Sequence, residues 1–591
     1  MAAAPEKQVP SKLMVAAIDF GTTYTGFGFS MRDTYLSEPL RIWTKHWSSS
    51  GGGPALVSEK TPTVLLLDQD KNFHSFGYDA EDKYSELAQE DKHTGWYYFK
   101  HFKMTLYHEK INRTISLRTD QGIKLPALEV FKHSISYIKG LVLDELRNKG
   151  VLETAVMEKE ICWVLTVPAI WDFTAKQFMR EAAKRAGIPT EQLILALEPE
   201  AASVFIKHMN VNVQRDQDEG PTLSPYDSGT RYMVLDLGGG TVDVTVREVM
   251  PDRTLKEVTK ASGGAWGGLY VNDEIYKFLE KIFTPKILGE FKAESTSDYL
   301  DLERGIEMVK RKLGTDGQGR FTLNIPMDLR DRYTKAMKKT ASEANISLFA
   351  TTNTEMKKDK LKFPKEVMAN FFSPCIQSII EHCRTVLDLA GANKVQDVIM
   401  VGGFAESTIM QLLVKKAFPT KNIVIPPEAG LVVLKGAVLY GHHPRIVSCR
   451  VASKTIGLRN LRYFMKEMDP EDKKMVEGGV PYCKDIFHTL CEAGSEFMLG
   501  ETVAHDVFPL RPNMKEMTLN LYQTNEKDPR YTTDEGCKEI GKVRVEMPDT
   551  SKGMNRQVIV SLTFGDTELI VEGKDNETGR SADVHLDLLQ H

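Results

Sequence analysis

The amino-acid sequence predicts an α/β protein built from two similar lobes and a following β-rich domain. The first observation is a pair of related Gly-rich segments, one near the N-terminus and one near the middle of the chain. The second is an alternation of strand-like and helix-like segments, and the third is a change to strand-like patterns after Pro444. A chain of 591 residues also exceeds a single-core domain, so several compact units are expected.

The two Gly-rich segments form a weak internal repeat. Residues 16–30 read AAIDFGTTYTGFGFS and residues 233–246 read MVLDLGGGTVDVTV, so each has an apolar strand ending in Asp, a turn of small residues and a second strand. That order is typical of a β-hairpin with a small-residue turn. Asp19 and Asp236 occupy the same place in the two copies, 217 residues apart. The repeat therefore predicts two similar lobes, each presenting a Gly-rich loop to a shared cleft.

Strands and helices alternate along both lobes. Apolar runs predict buried strands and apolar residues at helical spacing predict helices, an arrangement typical of α/β proteins with buried sheets. The turn-rich stretch 211–230 predicts a loop between the lobes, and the Lys-rich stretch 327–360 predicts a partly helical segment. The predicted strands are residues 161–167, 192–197 and 397–401, and the predicted helices are residues 174–186 and 301–313.

From about residue 450 onward the sequence reads as β-strands. Residues 517–521 and 558–564 alternate apolar and polar side chains, and residues 568–572 precede a polar turn at 574–579. We therefore place a separate β-rich domain at residues 450–591. The other predicted units are a flexible tail at 1–14, a first lobe at 15–210, and a second lobe at 231–444 whose last helix returns to the first lobe.

Bulk composition argues against a nucleic-acid or membrane partner. A net charge of −5 and a pI near 6.3 give no general attraction to nucleic acid or anionic lipid. The sequence contains no run of about 18 apolar residues, so we predict no transmembrane segment. The N-terminus lacks the apolar core of a signal peptide. Seven scattered cysteines without a CxxC pair argue against a zinc site and favour reduced thiols. We therefore expect a cytoplasmic protein, with the nucleus as the alternative.

The two Gly-rich loops are candidate phosphate-binding elements. Glycine lets backbone amides approach a phosphate closely, and successive amides can form an anion-binding nest. Asp19 and Asp236 would repel phosphate unless a hard cation lay between them, and Mg²⁺ suits that place because it binds carboxylates, water and phosphate oxygens. A single loop of this kind is more often an ordinary tight turn, but a matched pair favours phosphate binding.

Six motifs in this order resemble the nucleotide-binding domain of the 70-kDa heat-shock protein family: IDFGTTYTG, TVPAIW, LEPEAA, LDLGGGTVDV, EMVKRKL and VGGFAES. The resemblance covers residues 15 to about 440, and VGGFAES with IPPEAGLVVLKGAVLYG looks like the divergent member-12 branch, types A and B. It implies an actin-like ATPase fold, in which two RNase-H-like lobes enclose a cleft for ATP or ADP and Mg²⁺. The segment GDTELIVEGKDNETGRSADVHL is more weakly similar to the family's β-sandwich substrate-binding domain.

The resemblance implies a role for each matching residue around the phosphates. Asp19 and Asp236 would hold Mg²⁺ through its waters, and Pro168 matches a switch proline that relays nucleotide state, although on the residues alone it could merely end a strand. Of two lysines in the segment that should carry the catalytic one, Lys103 is preferred to Lys100. The other catalytic positions would be Glu198, Thr241 and Asp243, and the phosphate loops would be Gly21, Thr22, Thr23, Tyr24, Gly238, Gly239, Gly240 and Thr241.

The implied adenosine pocket has a plainer interpretation as well. Glu307, Lys310 and Arg311 match the family's helix contacts to adenosine. On spacing alone they form a surface ion-pair ladder, and only the resemblance reverses that interpretation. Gly402 and Gly403 match the turn behind the adenine.

The sequence departs from the family's pattern at the base end of the cleft. Glu406 replaces an arginine that would stack on adenine, and Gly314 replaces a serine that contacts adenosine. Gly430 stands where an aspartate is expected, with Glu428 nearby. We therefore expect altered base recognition together with an intact phosphate and Mg²⁺ apparatus.

The connector and the C-terminal region differ from the family too. Pro444, Arg445 and Arg450 stand in place of a Leu-rich strand, so we expect no docking of such a strand on the lobes. We expect neither a helical lid nor the acidic co-chaperone tail after the β domain. Weak peptide complexes with little coupling to nucleotide are therefore expected, and the alternative is a docking surface for a folded partner.

Three functions are consistent with these features. The first is an ATP-binding, chaperone-like switch with slow Mg²⁺-dependent hydrolysis, acting on an unfolded or folded client through the β domain. The second is a nucleotide-binding scaffold that does not hydrolyse. The third, ranked last, is a small-molecule kinase of the same fold, since fold alone does not decide function.

Overall fold

The computed structural model describes residues 12–48, 57–152, 156–209, 226–311, 319–565, 569–584 and 588–589. Most of the predicted tail at 1–14 and of the predicted loop at 211–230 lies outside these residues, and so does Gly314. The end of predicted helix 301–313 and Glu568 of predicted strand 568–572 also lie outside them. Within the described ranges, no helix combines the length and the apolar character needed to cross a membrane, and none of the seven cysteines is disulfide-bonded.

The first part of the described chain mixes short and long strands with helices. Its strands β1 to β13 are Met14–Phe20, Tyr24–Met31, Trp43–Thr44, Trp47–Ser48, Val57–Ser58, Thr61–Pro62, Val64–Leu67, Phe73–Phe76, Tyr97–Lys100, Ser116–Arg118, Lys124–Pro126, Ile161–Val167 and Leu193–Leu197. Its helices α1 to α6 are Arg32–Ser37, Tyr78–Gln89, Thr105–His108, Ala127–Asn148, Phe173–Arg185 and Glu198–His208.

The middle part repeats this mixture. Its strands β14 to β21 are Arg231–Leu237, Val242–Val249, Leu255–Gly264, Arg320–Asn324, Glu355–Lys357, Lys360–Pro364, Val395–Val401 and Asn422–Val424. Its helices α7 to α15 are Gly268–Phe283, Pro285–Glu294, Thr296–Arg311, Met327–Met337, Ala341–Ala344, Ile346–Thr352, Lys365–Ala390, Thr408–Ala417 and Val432–His442.

The last part consists of strands with short 3₁₀ turns. Its strands β22 to β32 are Val447–Val451, Thr455–Tyr463, Lys474–Glu477, Val480–Cys491, Glu496–Met498, Thr502–Val507, Glu516–Thr524, Lys538–Glu546, Val558–Phe564, Leu569–Asp575 and Ser581–Val584. Nine of them form a five-stranded sheet, β24-β25-β23-β28-β29, and a four-stranded sheet, β27-β30-β31-β32, around a shared apolar core, whereas β22 and β26 join a larger sheet of the middle part. The strands predicted at 517–521 and 558–564 are confirmed as β28 and β30.

Two larger sheets share one strand order. In the first sheet, β1 pairs antiparallel with β2 and parallel with β12, which pairs parallel with β13. In the second sheet, β14 pairs antiparallel with β15 and parallel with β20, which pairs parallel with β21. The hairpins β1–β2 and β14–β15 are the two copies of the sequence repeat. Because they occupy equivalent places, the ends of β1 and β14 carry Asp19 and Asp236 to equivalent positions.

Helices α6 and α15 pack together between the two sheets. Their apolar side chains form one core with residues from β1, β12, β14 and β20. A Cβ on Gly436 would lie 1.8 Å from the carbonyl oxygen of Ala201, so only glycine permits this helix crossing. The two sheets are therefore joined by one packed apolar layer.

The predicted elements of these sheets are confirmed, with small shifts at their ends. Predicted strands 161–167, 192–197 and 397–401 are β12, β13 and β20, and predicted helices 174–186 and 301–313 correspond to α5 and α9. Helix α5 starts at Asp172, whose side chain accepts a hydrogen bond from the Ala175 N–H. The stretch 327–360 is partly helical as predicted, but it also contains the unpredicted strand β18.

The expectation that the connector would not dock as a strand is wrong. Strand β22 pairs parallel with β16 of the second sheet, and β26 pairs antiparallel with β22. Arg450, which was expected to oppose docking, is 6% exposed and forms a bidentate ion pair with the fully buried carboxylate of Glu200 on α6. The guanidinium is accepted in the interior because Glu200 neutralises it there. The boundary placed at residue 450 falls inside β22.

Candidate functional site

The two repeated hairpins face each other across a cavity of about 650 Å³. This volume is in the range of ordinary small-molecule sites. Each predicted catalytic, nucleotide-binding or metal-binding residue lines the cavity except Asp243, and neither the predicted switch proline Pro168 nor the alternative lysine Lys100 lines it. The cavity therefore brings together residues that are more than 380 positions apart in the sequence, such as Asp19 and Gly403.

The same type of backbone turn closes each of the two hairpins. The Gly21 N–H donates to the Tyr24 carbonyl at 3.1 Å, and the Gly238 N–H donates to the Thr241 carbonyl at 3.0 Å. The hydroxyl of Thr63, which follows β6, donates to the Gly21 carbonyl at 2.8 Å and so holds the first turn from outside. The sequence repeat is thus a repeat of local backbone structure.

The glycines of the second turn are needed because the two loops almost touch. A Cβ on Gly239 would lie 2.1 Å from the Thr23 hydroxyl oxygen, and a Cβ on Gly240 would lie 2.4 Å from the Met104 sulfur. Neither glycine has a positive φ, so their role is close approach and not left-handed backbone. Any side chain at these positions would force the loops apart.

Four carboxylates gather at and behind the cavity. Asp19, Asp236 and Asp243 are 5%, 4% and 1% exposed, and Glu198 begins α6 at the same place. Burial and the charges of Glu198, Asp243 and Asp19 raise the pKa of Asp236 well above its usual value. Burial and Glu198 raise the pKa of Asp243 to about 7, against hydrogen bonds that lower it. Such mutual repulsion favours any cation that enters the cavity.

Asp243, on β15, does not line the cavity and instead contacts the segment that follows the predicted switch proline. Its Oδ1 accepts a hydrogen bond from the Ile170 N–H at 3.0 Å. The next residue, Trp171, places its ring 5.1 Å from the Lys103 ammonium, which lies in the cavity. The turn after Pro168 therefore contacts two of the predicted catalytic residues.

The structure separates the two candidate lysines. Lys103 is 2% exposed and its Nζ lies 2.8 Å from Glu198 Oε1 inside the cavity. Lys100 instead pairs with Glu303 of α9 at 2.8 Å and does not line the cavity. The placement is consistent with the preference for Lys103.

Sequence reasoning missed two partners of Asp19. Thr166 donates to Asp19 Oδ1 at 2.8 Å, and the Lys60 ammonium lies 2.6 Å from Asp19 Oδ2. Thr166 belongs to the predicted strand 161–167, so assuming parallel pairing with β1 could have revealed it. Lys60 carries no such signal, because its position depends on the pairing of β6 with β2.

At the far end of the cavity, Glu307 forms ion pairs with both Lys310 and Arg311, at 2.6 and 2.7 Å. Burial opposes ionisation of Glu307, yet the two cations lower its pKa to about 2. The Arg311 guanidinium, at the end of α9, also lies 4.5 Å from the centre of the Tyr24 ring on the first hairpin. Glu307, Lys310 and Arg311 therefore form the ion pairs that their spacing predicts, and the same three residues line the cavity.

Glu406 is held by backbone at the same end. Its Oε1 accepts from the Gly430 N–H at 3.0 Å, and a Cβ on Gly430 would lie only 2.8 Å from that oxygen. Gly402 has a φ of 87° and a Cβ there would meet Asp236 Oδ1 at 2.5 Å, so this position requires glycine on both counts. The carboxylate of Glu406 is therefore a built feature of the cavity.

Comparison with known proteins agrees with this geometry. A family model described as "Hsp70 protein" matches residues 97–442. The chain is 32% identical to Heat shock 70 kDa protein 12A of Mus musculus over 99% of its own length and 93% of that protein. It is 33% identical to Heat shock 70 kDa protein 12B of Homo sapiens over the same shares.

This chain belongs to the Hsp70 family. Within the family it is similar to the 12A and 12B branch, as its last motifs suggested, and the similarity extends over nearly the whole chain. Residues 97–442 correspond to an actin-like ATPase domain of mixed α/β structure. Family membership also supports a nucleotide-binding, Hsp70-like protein.

Proposed function

We propose that the chain is an ATP-binding, chaperone-like switch in which the state of the nucleotide controls the β-rich domain. The carrying observation is the pair of identical hairpin turns that meet across the 650 Å³ cavity, each with a buried aspartate. The finer fold we propose is two RNase-H-like lobes around this cleft and a β-rich domain without a helical lid. The β-rich domain would contact an unfolded or folded client.

The carboxylates of the cavity suit Mg²⁺ as the partner of the nucleotide. Asp236 is buried among three other carboxylates that disfavour its charge, and a divalent cation would relieve that repulsion. Asp19 and Asp236 are the residues that would hold Mg²⁺ through water. When bound, the ion would supply positive charge against the phosphate oxygens. The hydroxyls of Thr22, Thr23 and Thr241 and the backbone amides of both turns would bind the phosphates themselves.

Slow hydrolysis is the finer part of this proposal. Lys103 is held by Glu198 in the cavity, and the buried carboxylate of Asp243 adjoins both groups, so Asp243 would orient a water molecule or accept its proton. Thr241 closes the second turn beside the phosphate-facing amides. These residues would position water at the terminal phosphate, since phosphoryl transfer depends chiefly on positioning and electrostatics.

Contacts between the nucleotide cleft and the β-rich domain favour a switch over a simple scaffold. Phe173, two residues after the ring that contacts Lys103, packs against the core of the β-rich domain. On the same helix, the Gln177 side chain accepts from the Leu588 N–H at 2.7 Å. A movement of the turn after Pro168 would therefore reach both places. The difference in peptide binding between the ATP and ADP states measures this coupling.

Calorimetry of the full chain tests nucleotide binding. At about 100 times Kd, Mg²⁺-ATP or Mg²⁺-ADP should raise the free energy of unfolding by about 2.7 kcal/mol. An unchanged melting curve at millimolar nucleotide would contradict the proposal.

Single-turnover chemistry then separates the candidate functions. Conversion of bound ATP to ADP supports the switch, whereas ATP recovered intact supports the non-hydrolysing scaffold. Phosphate transfer to glycerol or a hexose would instead support the kinase. Fluorescent peptide binding with ATP and then ADP reports the β-rich domain, and a shift beyond about tenfold would show stronger coupling than we expect.

A further inference from the structure

Lys60 reaches the nucleotide cavity across the first hairpin. Strand β6 pairs with β2 through Thr25 and Thr61, which brings the preceding Lys60 over Gly26. A Cβ on Gly26 would lie 2.8 Å from Lys60 Cγ, and Gly26 is the direct antiparallel partner of Asp19. The glycine therefore leaves a channel through which the lysine stem crosses β2 to Asp19.

The resulting ion pair is a fixed part of the cavity. Lys60 Nζ lies 2.6 Å from Asp19 Oδ2, while Thr166 donates to Asp19 Oδ1 at 2.8 Å. The side chains of Lys60 and Asp19 are only 17% and 6% exposed, so solvent screens the pair weakly. Both oxygens of Asp19 are thus engaged by donors of the chain itself.

The ammonium of Lys60 also faces the other charges of the site. Burial and three carboxylates raise the pKa of Asp236, and Lys60 opposes them, as it does for Glu198. Together with Lys103, it places two cations among four carboxylates. A nucleotide adds further negative charge at the same place, and a lysine is a suitable point charge for phosphate.

We propose that Lys60 is the chain's own counter-charge for the phosphates of a bound nucleoside di- or triphosphate, so that binding persists when Mg²⁺ is removed. The inference rests on the proposed nucleotide-binding function and specifies which residue carries part of it. Asp19 holds the Lys60 ammonium beside the first Gly-rich turn. Lys60 lines the cavity, so it can meet a phosphate oxygen while it stays beside Asp19.

Titration of the full chain with ADP, in millimolar Mg²⁺ and in excess EDTA, tests the proposal. The unmodified protein should bind ADP in EDTA within about tenfold of its Kd in Mg²⁺. Lys60→Met should raise the Kd in EDTA by more than about tenfold and the Kd in Mg²⁺ by less, because the ion then carries the missing charge. Lys60→Arg keeps the charge and should restore binding in EDTA.

Lys45→Met is the matched control, since Lys45 forms a comparable half-buried ion pair with Glu145, at 2.7 Å, away from the cavity. It should leave both ADP affinities unchanged. The proposal is overturned if the unmodified protein binds ADP only with Mg²⁺, a result that needs no variant to fold. It is equally overturned if Lys60→Met binds ADP in EDTA like its parent. Absence of binding in both conditions would instead reject the nucleotide-binding function and this inference with it.

Discussion

Replacing Arg450 by methionine should destabilise the protein strongly, because it leaves a carboxylate buried without its cation. The Arg450 side chain is 7% exposed and that of Glu200 is fully buried, with nitrogen–oxygen distances of 2.7 and 2.9 Å. Removing one partner of a buried ion pair costs about 3–5 kcal/mol. The loss should appear in the part of the structure where β22 joins the second sheet to the β-rich domain.

Urea unfolding followed by circular dichroism measures this effect, with the free energy obtained from the midpoint and slope. Arg544→Met is the matched control, since Arg544 pairs with Glu516 on the surface, where the side chains are 70% and 38% exposed. That variant should lose less than about 1 kcal/mol. Both measurements use the same substitution, so they isolate burial as the cause.

The double variant Arg450→Met with Glu200→Met completes the cycle. Two apolar side chains of similar size should recover most of the loss, because neither member of this ion pair is left as a buried charge without the other. The reasoning is refuted if Arg450→Met costs no more than Arg544→Met. It is also refuted if the double variant is less stable than Arg450→Met alone.

Four further predictions concern the cavity and its surroundings. Asp236→Asn should slow single-turnover ATP hydrolysis by about 10²-fold with a smaller change in Kd, and equal rates would reject its role. Gly239→Ala should weaken nucleotide binding in calorimetry by forcing the facing loops apart, whereas Gly289→Ala, where a Cβ meets open space, should not. Glu406→Arg should widen the ratio of GTP to ATP dissociation constants, and an unchanged ratio would contradict the altered base site. Burial and a neighbouring arginine lower the pKa of Lys176 to about 8, so the unfolded chain binds the Lys176 proton more tightly than the folded chain does. The free energy of unfolding of the parent, relative to that of Lys176→Met, should therefore rise between about pH 8 and 10.5, by at most about 1.4 kcal/mol per pH unit.

Local patterns predicted much of the two large sheets. Residues 161–167 are apolar except for Thr166 and become a strand buried along its whole length, as expected of a parallel interior strand. The paired Asp–Gly turns predicted the cavity because both loops show the same short pattern, an aspartate at the end of a strand followed by glycine and small residues. The mixed α/β class follows from the same patterns and is confirmed.

Features that depend on distant pairing could not be predicted. The partner of Arg450 is Glu200, 250 residues earlier, and without that partner an arginine indicates an exposed connector. The approach of Lys60 to Asp19 likewise depends on the pairing of two short strands. Neither contact produces a periodic pattern or a motif in the sequence, because each joins residues that are far apart along the chain.

The connector strand has a consequence for the state in which the β-rich domain separates from the sheet. Strands β22 and β26 extend the second sheet beyond β16, so the start of β16, at Leu255 and Lys256, is paired while the connector is docked. Withdrawal of β22 would turn β16 into an open edge, and open edges recruit extended segments of other chains. Separation would therefore expose unpaired backbone groups at the start of β16, and self-association in the undocked state would begin at that edge.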